Sequence, residues 1–206
     1  MSRMPRRLLL ALPAVVLAIG LSGCATAAAA TTAEITERVS HLGVDPALVV
    51  TTTIEGYDLA PQSVNETDEG GMTATWAKPG TGDMVTVRTD PVEMDAAACA
   101  AQQLWGGGEA TCVRDGATWH RSSGGIDEYA VVGDGRTVLV VGGDGFGAPR
   151  EDLREAAAGL RAPTVAEVDR MFAEVQRRYD RGGPVERGDL PKDGDGAPID
   201  PGGEGG

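Results

Sequence analysis

The sequence predicts an α+β fold, an antiparallel sheet of about six strands with helices on one face. Three observations carry this. Short alternating apolar segments, separated by Gly, Pro and Asp turns, occupy residues 72–141; three segments, at about 91–104, 149–160 and 164–180, space their apolar residues as helices do; and both ends of the chain have compositions that cannot build a core. The expected division is 1–23 as a signal peptide, 24–32 as a tether, 33–71 as a short helix and irregular segment, 72–181 as the α+β domain and 182–206 as a disordered acidic tail.

The elements follow in order. Residues 25–32 are Ala and Thr, too poor in apolar bulk for a core. Thr31 and Glu34 have capping-box spacing, Ile35, Val39 and Leu42 share a helical face, and Gly43 can stop the turn, so a helix is expected at about 32–42. Residues 51–71 carry little periodicity and read as irregular. Met72, Ala74 and Trp76 alternate with threonines, Pro79 to Gly82 turn the chain, and Val85 and Val87 alternate again as the second arm of a hairpin. Pro91 can open a helix whose stripe is Met94, Ala97, Ala98, Ala101 and Leu104, ending before Gly106.

A four-strand meander is expected next, at about 110–114, 117–122, 127–132 and 137–141. Asp115-Gly116 and Asp134-Gly135 are read as its two-residue turns, because both pairs tolerate positive φ. Val138 to Val141 is continuously apolar, the pattern of a strand buried on both faces. The last helix presents Val165, Val168, Met171, Phe172 and Val175 on one side, with Thr164 and Glu167 spaced to cap it. Residues 182–206 contain nine Gly, four Pro and six acids, and their few apolar groups cannot offset the entropy of ordering.

The N-terminus carries an address. Arg3, Arg6 and Arg7 precede an apolar run from Leu8 to Leu21, shorter than a spanning helix requires and followed by small residues. Leu21-Ser22-Gly23-Cys24 resembles the lipobox of bacterial lipoproteins. The resemblance is confined to this segment. It implies cleavage by signal peptidase II before Cys24, a diacylglyceryl thioether and further acyl chains such as palmitate on Cys24, and a lipid-anchored position on the extracytoplasmic face of the cell membrane. Arg6-Arg7 departs from a twin-arginine signal at Pro5 and downstream, so the general secretory route is expected. The Ala, Gly, Asp and Arg bias, with Lys78 and Lys192 the only lysines, resembles a high-GC actinobacterial proteome.

Charge and cysteines narrow the function. The chain holds 18 basic and 31 acidic residues, and losing Arg3, Arg6 and Arg7 with the signal leaves 15 basic, a balance that excludes nucleic acid and repels anionic lipid. Attachment to the bilayer therefore falls to the lipid on Cys24, with the domain standing off the surface. Cys99 and Cys112 remain as an even pair in an exported chain and read as a disulfide.

The catalytic patterns in the chain are incomplete. Gly143 to Ala148 fits G-x-G-x-x-A but follows a meander rather than opening a βαβ unit, and reads as a flexible connection. His120, Arg121, Ser122 and Ser123 alternate between sheet faces and lack a nucleophile elbow. Neither a catalytic residue nor a metal ligand or cofactor is assigned. Trp76 and Trp119 read as core; the alternative is an exposed aromatic face of Trp76 and Trp119, with Tyr129 beside it, for a partner protein or small-molecule ligand. The expected function is a non-enzymatic interaction or ligand-binding module of the cell envelope, with an envelope hydrolase or accessory enzyme using His120 and nearby carboxylates, or a passive structural lipoprotein, as the alternatives.

Overall fold

The computed structural model describes residues 28–104 and 109–181. The signal peptide, Cys24, most of the tether, Trp105 with the glycines after it, and the acidic tail lie outside the described residues. Seven strands form one sheet: β1 (Asp58–Glu66), β2 (Met72–Ala77), β3 (Met84–Asp90), β4 (Thr111–Asp115), β5 (Thr118–Ser123), β6 (Ile126–Gly133) and β7 (Arg136–Gly142). Their order is β1-β2-β3-β7-β6-β5-β4, with every neighbouring pair antiparallel. Four helices complete the α+β fold: α1 (Thr32–Val39), α2 (Ala96–Ala101), α3 (Arg150–Ala158) and α4 (Val165–Arg181). The continuously apolar strand, β7, is the central one, buried from Thr137 to Gly142.

The seventh strand is β1, within the segment expected to be irregular. Pro61 and a register shift between Ala60 and Asn65 hide its alternation, and both are tolerated because β1 lies at a sheet edge. Residues 33–71 therefore do not stand apart from the domain: Ile35, Val39, Val50, Ile54 and Val64 share one core cluster with Val87, Val140 and Phe172. Tyr57, buried in that cluster, donates its hydroxyl to Asp152 Oδ2 at 2.7 Å; burial first, then this bond, pushes the phenol above its ordinary pKa.

Successive residues of β7 separate the two faces. Val138 and Val140 pack on the side that holds α1, α3 and α4, through Ile35, Leu153, Val168 and Met171. Leu139 and Val141 face the other way, against Met94 and Cys99. The helices are thus not all on one face: α2 covers the opposite side of the sheet. It is also shorter than its stripe suggests, because Asp95 caps it and Met94 is held outside the helix, donating its N–H to Thr137 Oγ1 at 2.8 Å. The Cys99–Cys112 disulfide fastens α2 to β4.

Both expected capping boxes form. Thr31 Oγ1 accepts from the Glu34 amide at 3.3 Å while Glu34 accepts from the Thr31 amide at 2.8 Å. At α4, the Glu167 amide donates to Thr164 Oγ1 and Glu167 accepts from the Thr164 amide at 2.7 Å. Arg161 adds two further bonds to Glu167, at 2.6 and 2.8 Å, and this guanidinium is the main reason the carboxyl falls to a pKa of about 2. The β6–β7 turn is Asp134-Gly135 as expected, both with positive φ. The β4–β5 turn is displaced by one residue: Asp115 pairs with Thr118, leaving Gly116 and Ala117 in the turn and Asp115 in the strand.

Candidate functional site

Trp76 is core as expected, and the alternative aromatic face does not assemble. Trp76 and Tyr129 are 4% and 1% exposed, both within the core on the α3 side, while Trp119 lies on the α2 side, half-buried, with the Arg114 guanidinium 4.3 Å from its ring centre. The reason is register: Trp119 pairs with Ala130 and His120 with Tyr129, so alternation sends Trp119 and Tyr129 to opposite faces.

A polar corner forms instead where β4, β5 and β6 meet α3. His120 is 5% exposed and its Nε2–H donates to Asp127 Oδ1 at 2.6 Å, with its ring 5.1 Å from that of Tyr129. Tyr129 donates its hydroxyl to Asp115 Oδ2 at 2.8 Å and accepts from Arg150 Nε at 3.0 Å. Arg154 also donates to Asp115, at 2.9 Å. That bond, followed by the one from Tyr129, holds the Asp115 carboxyl below its ordinary pKa, and the same pairing raises Arg154. Among the described residues no serine, threonine or cysteine side chain hydrogen-bonds to His120, so its imidazole is oriented by Asp127 but faces no nucleophile in this arrangement.

Behind the corner, on the α2 face, Arg121 and Glu128 form an ion pair at 2.7 Å with side chains 0% and 1% exposed. Arg121 also donates to the carbonyls of Cys99, at 3.2 Å, and Gln102, tying the end of α2 to the sheet. The pairing of these two residues is missing from the sequence reading, although the Gly124-Gly125 turn is a usable signal: a two-residue turn there sets Arg121 opposite Glu128. Cys112 pairs with Arg121 across β4 and β5, so the disulfide and the ion pair brace the same spot.

Of the other concavities among the described residues, one of about 660 Å³ opens between His41, Asn65, Glu66, Arg178 and Tyr179. A cavity of about 240 Å³ lies on the α2 side between β3 and the chain leading to α2, where Asp90 and Glu69 accept from Arg88 at 2.7 and 3.3 Å. The Gly143 to Ala148 segment is a tight connection rather than a loose one. Gly143 has a φ of 99°, and a Cβ there would lie 2.7 Å from the Gly125 carbonyl oxygen; at Gly147 it would lie 2.6 Å from Asp83 Oδ1. Gly143 serves packing against the β5–β6 turn, and Gly147 against Asp83 just before β3.

Comparisons with protein-family models, with curated proteins and with solved structures give no match to this chain.

Proposed function

We propose that this chain is a lipid-anchored, extracytoplasmic lipoprotein that acts as a non-enzymatic interaction module of the cell envelope, with the β4–β6 corner as its contact region. The observation that carries the reading is the Cys99–Cys112 disulfide. It is the bond expected of an oxidising compartment, and it uses every cysteine except Cys24, leaving the lipobox residue as the one thiol for acylation. No helix among the described residues is long and apolar enough to cross a membrane, which fits attachment through acyl chains.

The tether length refines the expected position of the domain. The Ala30 amide donates to the Pro163 carbonyl at 2.8 Å, so the chain joins the fold six residues after Cys24. Six residues span at most about 21 Å. On this reading the α1 end and the α3–α4 connection face the bilayer closely rather than standing far off it.

The test is mass spectrometry of the N-terminal peptide from membrane fractions, with and without inhibition of signal peptidase II. An acylated Cys24 peptide that disappears under inhibition supports the proposal. A mature chain beginning elsewhere, or an unmodified Cys24 in the soluble fraction, overturns it. In-cell crosslinking then separates a protein partner from a small ligand or a passive coat.

A further inference from the structure

The sheet has two edges, and they are protected unequally. β1 is bulged, contains Pro61, and has its Val64 carbonyl bonded by Arg178 from α4 at 2.9 Å. These are the devices that stop an edge from recruiting another strand. Among the described residues β4 has none of them: its register with β5 is unbroken from Thr111 to Asp115, and it contains neither Pro nor Lys. Because the β4–β5 turn has two residues, the flanking Asp115/Thr118 pair exchanges hydrogen bonds and the pattern alternates from there. Thr111, Val113 and Asp115 thus direct their amides and carbonyls to β5, while Cys112 and Arg114 direct theirs to the outer edge.

We infer that the β4 edge is a docking site for an extended, acidic peptide segment of a partner protein, added to the sheet as an eighth strand. The inference rests on the interaction-module reading above and names its surface. Charge selects the occupant. In a chain of net charge -13, this edge is flanked by Arg114 on the α2 side and by Arg150 and Arg154, with side chains 46% and 57% exposed, on the α3 side. The acids nearby are Asp115 and Asp127, already bonded to Arg154 with Tyr129 and to His120, and the exposed Glu109. Val113, 47% exposed, supplies an apolar contact between the arginines. Strand addition places one partner residue opposite each β4 residue, so the favoured segment carries an apolar residue against Val113, an acidic residue against Arg114, and a second acidic residue opposite Asp115 that reaches Arg150 and Arg154, two guanidiniums which share that one carboxylate. A second copy of this chain is disfavoured, since two-fold pairing of β4 with itself brings the two arginine clusters together.

The experiment uses the full mature chain, acylated and held in detergent micelles. The probes are a blocked peptide Thr-Thr-Val-Glu-Glu-Thr and its reversed sequence, a version with Lys in place of both Glu, and a version N-methylated at alternate backbone positions, with binding read by isothermal titration. The acidic peptide in one of its two directions is expected to bind at least tenfold tighter than the Lys version and to weaken as salt rises. N-methylation of the amides that meet the edge is expected to abolish binding, and Arg114→Pro, which removes an outward N–H while leaving the β5 ladder intact, to do the same with the circular dichroism spectrum unchanged. Equal binding of acidic and basic peptides, insensitivity to N-methylation, or a chain that sediments as a β4-dependent dimer overturns the inference. Peptide binding without Cys24 acylation in cells would overturn only the lipoprotein reading, and acylation without peptide binding only the docking site.

Discussion

Replacing Arg121 by Met removes the guanidinium that meets Glu128 at 2.7 Å and the Cys99 carbonyl at 3.2 Å, and that also bonds the Gln102 carbonyl. Glu128, 1% exposed, would lose this guanidinium and the end of α2 its two carbonyl bonds, so the variant is expected to lose about 3–5 kcal/mol, a large share of the roughly 5–15 kcal/mol that holds a domain folded. The double variant R121M/E128L removes both charges and should recover much of that loss. It should still fall about 1–3 kcal/mol short of the native chain, because the carbonyls at the end of α2 keep no guanidinium. Urea denaturation of all four members of the cycle, under non-reducing conditions, measures the differences. A single variant within 1 kcal/mol of native, or a double variant no better than R121M, would refute the argument that the buried pair acts as a unit.

Three further outcomes are expected. C99A/C112A opens a loop with a sequence separation of 13, worth about 3 kcal/mol on the chain-entropy model, and should lower Tm by roughly 6–12 °C in calorimetry. Glu167→Gln should cost about 1–2 kcal/mol at pH 7, after allowance for solvent screening, by weakening the Arg161 bonds. Because the folded pKa of Glu167 is depressed to about 2, its contribution is full above the ordinary carboxylate range near 4.5 and fades as pH falls toward 2, so native and E167Q denaturation midpoints should converge over that window. Gly143→Ala sets a Cβ 2.7 Å from the Gly125 oxygen at positive φ and should destabilise by at least about 2 kcal/mol, checked by thermal melts.

Much of the architecture was legible because its causes are local. Thr31 and Thr164 cap the helices whose first turns contain Glu34 and Glu167, Asp134-Gly135 closes its hairpin, and the unbroken Val138 to Val141 run lies in the central strand. The cysteine pair was legible once Cys24 is set aside as the expected lipidation residue, which leaves Cys99 and Cys112 as an even pair. β1 was not, since its edge position tolerates a proline and a bulge that erase the alternation by which strands are recognised in sequence. The limits of α2 were missed because Met94 follows tertiary contacts with Thr137 and the sheet rather than helical periodicity.

The β4–β6 corner shows the same division. Sequence by itself determined the α+β class, the acidic charge, the pairing of Cys99 with Cys112 and the order of most elements, because each depends on composition or on residues a few positions apart. Only the tertiary structure decided that α2 crosses to the far face, that Trp119 and Tyr129 part company, and that Arg121 finds Glu128 and α2 while Asp115 gathers Tyr129 and Arg154. Those outcomes depend on register, where a shift of one residue exchanges the two faces of a strand, and on contacts between groups far apart in the chain, which no local pattern records.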